Sequence, residues 1–173
     1  MSRFSTLLAV LVSAIGLTCP AGAAGLELGI AGGAQFLGDI SELDVDTDEG
    51  FSLGLELMFD IPIVKLGLGY EYGFPRSTEL LVDDLEYHLV YAMARLHVLG
   101  PAYLAARVGY ANLSADVVEI SVSEDGFSWS AGLGIKLWRF NVEALYNQFD
   151  ITVSEVDATI DYRNYALRAI FTF

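Results

Sequence analysis

The sequence is short of the side chains from which most active sites and disulfide-built domains are made. It has one cysteine, Cys19, and two histidines, His88 and His97, in 173 residues. Cys19 follows Arg3 and the apolar stretch Leu7 to Leu17, and precedes Ala21-Gly22-Ala23. A positive start, a short apolar run and a small-x-small site read as a signal peptide over 1–23, with the folded chain, 24–173, beginning near Ala24. Thr18 and Pro20 around Cys19 fit a lipoprotein signal poorly. The remaining chain then has no thiol chemistry, no disulfide framework and no metal-spaced Cys/His cluster. Basic residues are also scarce: nine Lys and Arg stand against 23 Asp and Glu, a formal net charge of −14. Such a chain repels nucleic acid. No Gly-rich phosphate loop is present, and no cofactor is implied. No later stretch is long and apolar enough to cross a bilayer as a helix.

What is present pulls in two directions. The chain is 54% hydrophobic with a mean hydropathy of +0.47, yet strongly acidic. Position resolves the conflict, because the chain after the signal divides into eight runs of alternating polarity. The clearest sets Val64, Leu66, Leu68, Tyr70, Tyr72 and Phe74 against Lys65, Gly67, Gly69, Glu71 and Gly73. The others lie near 25–36, 51–59, 87–98, 104–111, 127–137, 140–147 and 165–173. Period two over such lengths is the strand signal. Three connections are tight: Asp60 to Ile63, Gly100-Pro101 and Trp138-Arg139. Four are long, at about 38–50, 75–86, 113–126 and 150–161, and they carry most of the acids. Tight and long connections in rotation describe an antiparallel meander with both termini on the tight-turn side.

Alternation alone leaves two closed barrels open, one with its apolar face inside and one with it outside. Volume decides. The apolar faces of the runs carry more Leu, Ile, Phe, Tyr and Trp than an eight-stranded interior can hold. The opposite face is Gly, Ala and Ser, a poor water-facing surface but a good crowded interior. The apolar face is therefore expected to meet lipid, and each run has the length of a tilted membrane strand. Closure follows, since an unpaired edge in hydrocarbon leaves backbone groups unsatisfied. Aromatics are expected at both interfaces: Phe36, Phe51, Tyr72, Phe74, Tyr110, Phe127, Trp129, Tyr146 and Tyr165 in one ring, and Phe59, Phe140, Phe171 and Phe173 in the other. The fold class is all-β, a closed eight-stranded antiparallel up-and-down transmembrane β-barrel.

With these features the sequence resembles the small eight-stranded bacterial outer-membrane proteins of the OmpA/OmpX type. The most specific likeness is the ending, Tyr165, Leu167, Ala169, Phe171 and Phe173. In that family such an ending is the insertion signal read by the barrel-assembly machinery. The resemblance implies an integral protein of the bacterial outer membrane, expected to be a monomer among outer-membrane lipid. Its long loops would be extracellular and its termini periplasmic. No sequence follows Phe173, so the peptidoglycan-binding domain of longer relatives is expected to be absent.

Nine charged residues fall on the small-residue face: Glu27, Glu56, Glu71 and Glu143 against Lys65, Arg95, Arg107, Lys136 and Arg168. They are expected to form an interior ion-pair network, with Glu27, Glu56 and Glu71 facing Arg95, Arg107 and Arg168; the competing reading is a narrow ion path. Asp44, Asp46 and Asp48 match the first three ligand positions of an EF-hand loop. Gly50 then stands one place late and Leu55 occupies the final acidic position, which favours a solvated acidic loop over a metal site. Lipid-modifying enzymes of this size and topology need a His with Ser and an acid near one interface. His97 lies near the tight turns, and His88 near the long loops, where only Asp83 or Asp84 would complete an aspartate–histidine pair. The expectation is a non-enzymatic protein, structural or binding an extracellular protein partner through its acidic loops. Val117, Val118, Ile120 and Val122, and Ile151, Val153, Val156 and Ile160, would extend strands beyond the bilayer, either stiffening the loops or offering an edge for strand addition. A narrow channel or small hydrophobic-ligand carrier is the alternative. Near an anionic leaflet the acidic loops would need bridging divalent ions.

Overall fold

The alternating runs become long paired strands. The structure, a computed structural model, describes residues 25–40, 45–47, 49–61, 63–76, 82–117, 120–153 and 158–173. The expected signal peptide lies outside these residues. The strands are β1 (Leu26–Ile40), β2 (Val45–Thr47), β3 (Gly50–Asp60), β4 (Val64–Arg76), β5 (Val82–Leu99), β6 (Ala102–Val117), β7 (Ile120–Leu137), β8 (Phe140–Val153) and β9 (Ala158–Thr172). Each of β3 to β9 pairs antiparallel with the next, and β1 pairs with both β3 and β9, closing the sheet. The short β2 continues the arm of β3: Gln35 faces Gly50, and Gly38 faces Thr47 in the same register. The result is a closed eight-stranded antiparallel barrel.

The seam between the first and last strands runs from Gly29↔Thr172 to Phe36↔Tyr165, shifts, and resumes at Asp39↔Arg163. The last residue is tied in as well, its Phe173 N–H donating to the Leu28 carbonyl at 2.9 Å. Among the described residues no backbone edge is left along the band that meets hydrocarbon, as closure in lipid requires.

The two ends differ. At the tight-turn end, Leu99 faces Ala102 across Gly100-Pro101, and Leu137 faces Phe140 across Trp138-Arg139. At the other end the strands run beyond the alternating runs, as the apolar residues at 117–122 and 151–160 lead one to expect. The stretches expected as connections at 113–126 and 150–161 are mostly strand: β6 and β7 stay paired to Val117↔Ile120, and β8 and β9 to Val153↔Ala158. The cause is the run of β-branched residues there, which suits a pleated surface.

Along the middle of each strand the burial alternates as a lipid-facing barrel demands. Leu53, Leu55, Leu66, Leu68, Val108, Leu133 and Leu167 are exposed on the outside. Glu56, Glu71, Arg107, Ser130, Glu143 and Arg168 are buried on the inside. Aromatic rings gather outside at both ends of this band. Tyr146 lies 5.6 Å from Trp129 and 5.5 Å from Tyr165 at the long-hairpin end. Phe171 lies 5.0 Å from Phe140 and 4.9 Å from Phe173 at the other.

Candidate functional site

The interior is built on a fit between glycine and tyrosine. Gly69 faces Tyr91, Gly73 faces Tyr87 and Gly134 faces Tyr103 in register. A Cβ on these glycines would lie 2.4, 2.0 and 2.2 Å from the facing ring. Only glycine lets each ring fold flat across the neighbouring strand and into the lumen. The small-residue face is therefore the space taken by three buried phenols.

Those phenols serve a charge cluster at the centre. Arg168 on β9 donates from Nη2 to Glu56 Oε1 at 2.9 Å and from Nη1 to Glu143 Oε2 at 3.1 Å. Its Nη2 also lies 3.4 Å from Glu71 Oε2. Arg95 bridges Glu56 at 2.7 Å and Glu143 at 2.6 Å. Arg107 reaches Glu71 at 2.9 Å and Asn147 Oδ1 at 2.8 Å. Tyr91 donates to Glu56 at 3.1 Å, Tyr103 to Glu143 at 3.1 Å and Tyr87 to Glu71 at 2.7 Å. Gln35 in turn donates to Tyr87. Three carboxylates thus face three guanidiniums, all buried, where unpaired charge is costly. The placement of Glu27 differs from the expected pairing. It sits near the tight-turn mouth with Lys65 at 2.7 Å and Lys136 at 3.5 Å, away from the arginines. Asp60 lies 3.2 Å from Lys65 and completes that smaller group.

Towards the long hairpins the polarity of the strands turns over. Inside, Tyr87, Leu89, Ala111, Phe149, Ile151 and Tyr162 pack into one buried apolar cluster, with Leu113 against it. Outside, the same stretch of barrel carries Glu86, His88, Asn112, Asp125, Asp150 and Asp161, none of them fully buried. Asn112 donates to Asp125 at 2.7 Å across β6 and β7. An apolar inside and polar outside is the pattern of a sheet in water. The switch marks where the barrel leaves hydrocarbon. The alternation had not exposed this inner cluster. Its signal is a change of phase: Phe149 and Ile151 occupy the positions that carry Asn141, Glu143 and Asn147 lower on β8. Ile170, an apolar residue at an inward position of the last strand, is fully buried inside, where Gly29 makes room for it.

The two histidines lie on opposite faces of β5 and at opposite ends of the barrel, His97 on the inward face. His88 faces outward, with Nδ1 2.7 Å from the Tyr70 hydroxyl and its ring 5.0 Å from that of Tyr72, which donates to Glu86 at 2.8 Å. His97 lies against Tyr103 at the tight-turn end, 5.8 Å between ring centres. The side chains of Asp83 and Asp84 lie outside the described residues, as do Asp44 and Asp48. Asp46 is described only by its backbone pairing with Asp39. Among the described residues no group of His, Cys, Asp and Glu is placed to hold a metal ion. The insertion-signal residues Tyr165, Leu167 and Phe173 are exposed on the outer wall with Ala169, and Phe171 is half-buried.

Residues 7–173 match the family described as the outer membrane protein beta-barrel domain. The chain belongs to that family. It is an integral β-barrel protein of the bacterial outer membrane. Its fold is similar to that of Ail, the attachment invasion locus protein of Yersinia pestis, with a TM-score of 0.64 at 16% identity over 86% of this chain and 99% of that one. Neisserial surface protein A gives 0.60 at 16% identity, over 88% and 99%. The N-terminal barrel domain of Pseudomonas aeruginosa OprF gives 0.54 at 13%, over 86% and 97%. No curated protein sequence matches the chain.

Proposed function

We propose that this barrel is a non-enzymatic surface protein whose rigid, filled body holds an acidic binding face on its long hairpins, outside the cell, with the termini in the periplasm. The observation that carries this reading is the switch of polarity at the rim. Above it β5, β6 and β7 continue as a paired sheet with a water-compatible outer face of Glu86, Asn112 and Asp125. Strand pairing holds these groups in a fixed array. The central ion cluster and the apolar cluster above it leave the interior occupied, which favours a scaffold over a channel.

The partner that suits this face is a basic protein segment. A polyanion would be repelled. Ail has been crystallised with the heparin analogue sucrose octasulfate, which provides a useful opposite probe. With the barrel in neutral phosphatidylcholine vesicles, a lysine-rich peptide should bind, and its affinity should fall as salt rises. Replacing Glu86, Asp125, Asp150 and Asp161 by their amides should weaken that binding, and sucrose octasulfate should not bind the parent protein. Binding of the polyanion, or peptide binding indifferent to the four substitutions, would refute the proposal.

A further inference from the structure

Trp138 has a backbone conformation that its side chain does not suit. Its φ is +58°, in the left-handed region, and among the described residues it is the one non-glycine with positive φ. It is the first central residue of the two-residue turn between β7 and β8, a position that a turn of this kind gives to glycine. The same barrel contains the ordinary solution. The turn between β5 and β6 puts Gly100 in the equivalent place with φ +56°. Two two-residue turns at one end of one barrel thus share a positive φ at this position and differ in its residue, so the positive φ is not the reason for the tryptophan.

The side chain is not held by packing either. Trp138 is 78% exposed, beside the exposed Leu137 and Phe140 of the lipid-facing wall. The Arg139 guanidinium sits over its indole at 5.0 Å. Arg139 makes no ion pair among the described residues, whereas both lysines at this end are engaged by Glu27. The turn's backbone is latched to the last strand, the Thr172 N–H donating to the Arg139 carbonyl at 2.8 Å and Thr172 Oγ1 at 3.2 Å. A fixed backbone therefore presents an indole and an unpaired cation together, at the boundary where the lipid-facing surface ends.

We infer that the Trp138–Arg139 turn is a lipid-headgroup site. The indole lies at the interface of the leaflet at the tight-turn end, the depth that tryptophan prefers. The guanidinium stacked on it binds the phosphate of an anionic glycerophospholipid, which accepts two of its N–H groups in a forked geometry. The residue in the strained position is kept there by lipid contact. The inference does not depend on the binding role proposed for the opposite end.

The test uses the full barrel refolded into vesicles of phosphatidylcholine, alone or mixed with phosphatidylglycerol, and reads the urea unfolding equilibrium. If the turn is only a turn, Trp138→Gly relieves the backbone and raises the folding equilibrium constant about 5- to 30-fold in both lipids. The lipid site predicts the reverse, a fall in both. Arg139→Gln should cost about fivefold with phosphatidylglycerol present and little without it. In a Trp129→Phe background Trp138 is the only tryptophan, and its emission should be quenched by lipids brominated near the glycerol. Stabilisation by Trp138→Gly, an Arg139→Gln effect indifferent to phosphatidylglycerol, or a water-like unquenched indole would each overturn the assignment.

Discussion

Arg168 on β9 holds Glu56 on β3 and Glu143 on β8 at once, at 2.9 and 3.1 Å, so one guanidinium ties its hairpin partner to a strand 112 residues away in sequence. Removing it leaves buried carboxylates with fewer counter-charges. Arg168→Leu should lower barrel stability by about 3–5 kcal/mol, and Arg95→Leu by a similar amount. Urea unfolding in vesicles checks this, and the loss should persist at high salt because the pairs are buried.

The glycine–tyrosine fit gives a second expectation. Gly69→Ala puts a methyl 2.4 Å from the Tyr91 ring, which must then move from its place above Glu56. The cost should be about 1–3 kcal/mol. Tyr91→Ala is destabilising by itself, but it removes the clash. The double variant should therefore lose less than the sum of the single losses, a coupling that unfolding measurements on all four proteins detect.

Phe173 separates folding from assembly. Its side chain is 62% exposed, and its place in the barrel is secured by the backbone bond to Leu28. Phe173→Ala should cost the refolded barrel about 1–3 kcal/mol in lost lipid and ring contact and still leave it folded. If the terminal aromatic is the insertion signal, the same substitution should sharply reduce the heat-modifiable, folded form in cell membranes. Equal amounts of folded protein in cells would mean that the signal lies elsewhere.

The parts of this architecture that could be read from the sequence are those that lipid imposes. Leu66, Leu68, Tyr70 and Tyr72 alternate with Gly67, Gly69 and Glu71 because the hydrocarbon band tolerates no other order on β4. The partners of the interior charges were hidden for a different reason. Glu143 faces Arg168 across the β8–β9 hairpin, but Glu56 reaches it only through the closing register of β1 with β9, and no local pattern states that. Glu27 shows this: its sign and face fit an arginine partner, but its height in the barrel puts it with the lysines. The apolar cluster of Phe149, Ile151 and Tyr162 escaped notice because a period of two survives when both faces exchange character. Trp138-Arg139 marks a turn by position only, since neither residue is one that supplies positive φ.

The most direct measurement of the central claim is a nitroxide scan of β8, one site at a time from 140 to 151, in the barrel folded in vesicles. The account predicts that labels at Val142, Ala144 and Tyr146 meet lipid-dissolved oxygen, while those at Asn141, Glu143, Leu145 and Asn147 do so poorly. At Gln148 and Asp150 the outward label should become accessible to a water-soluble reagent, marking the rim. Oxygen access at the odd positions, or water access at Ala144, would contradict it.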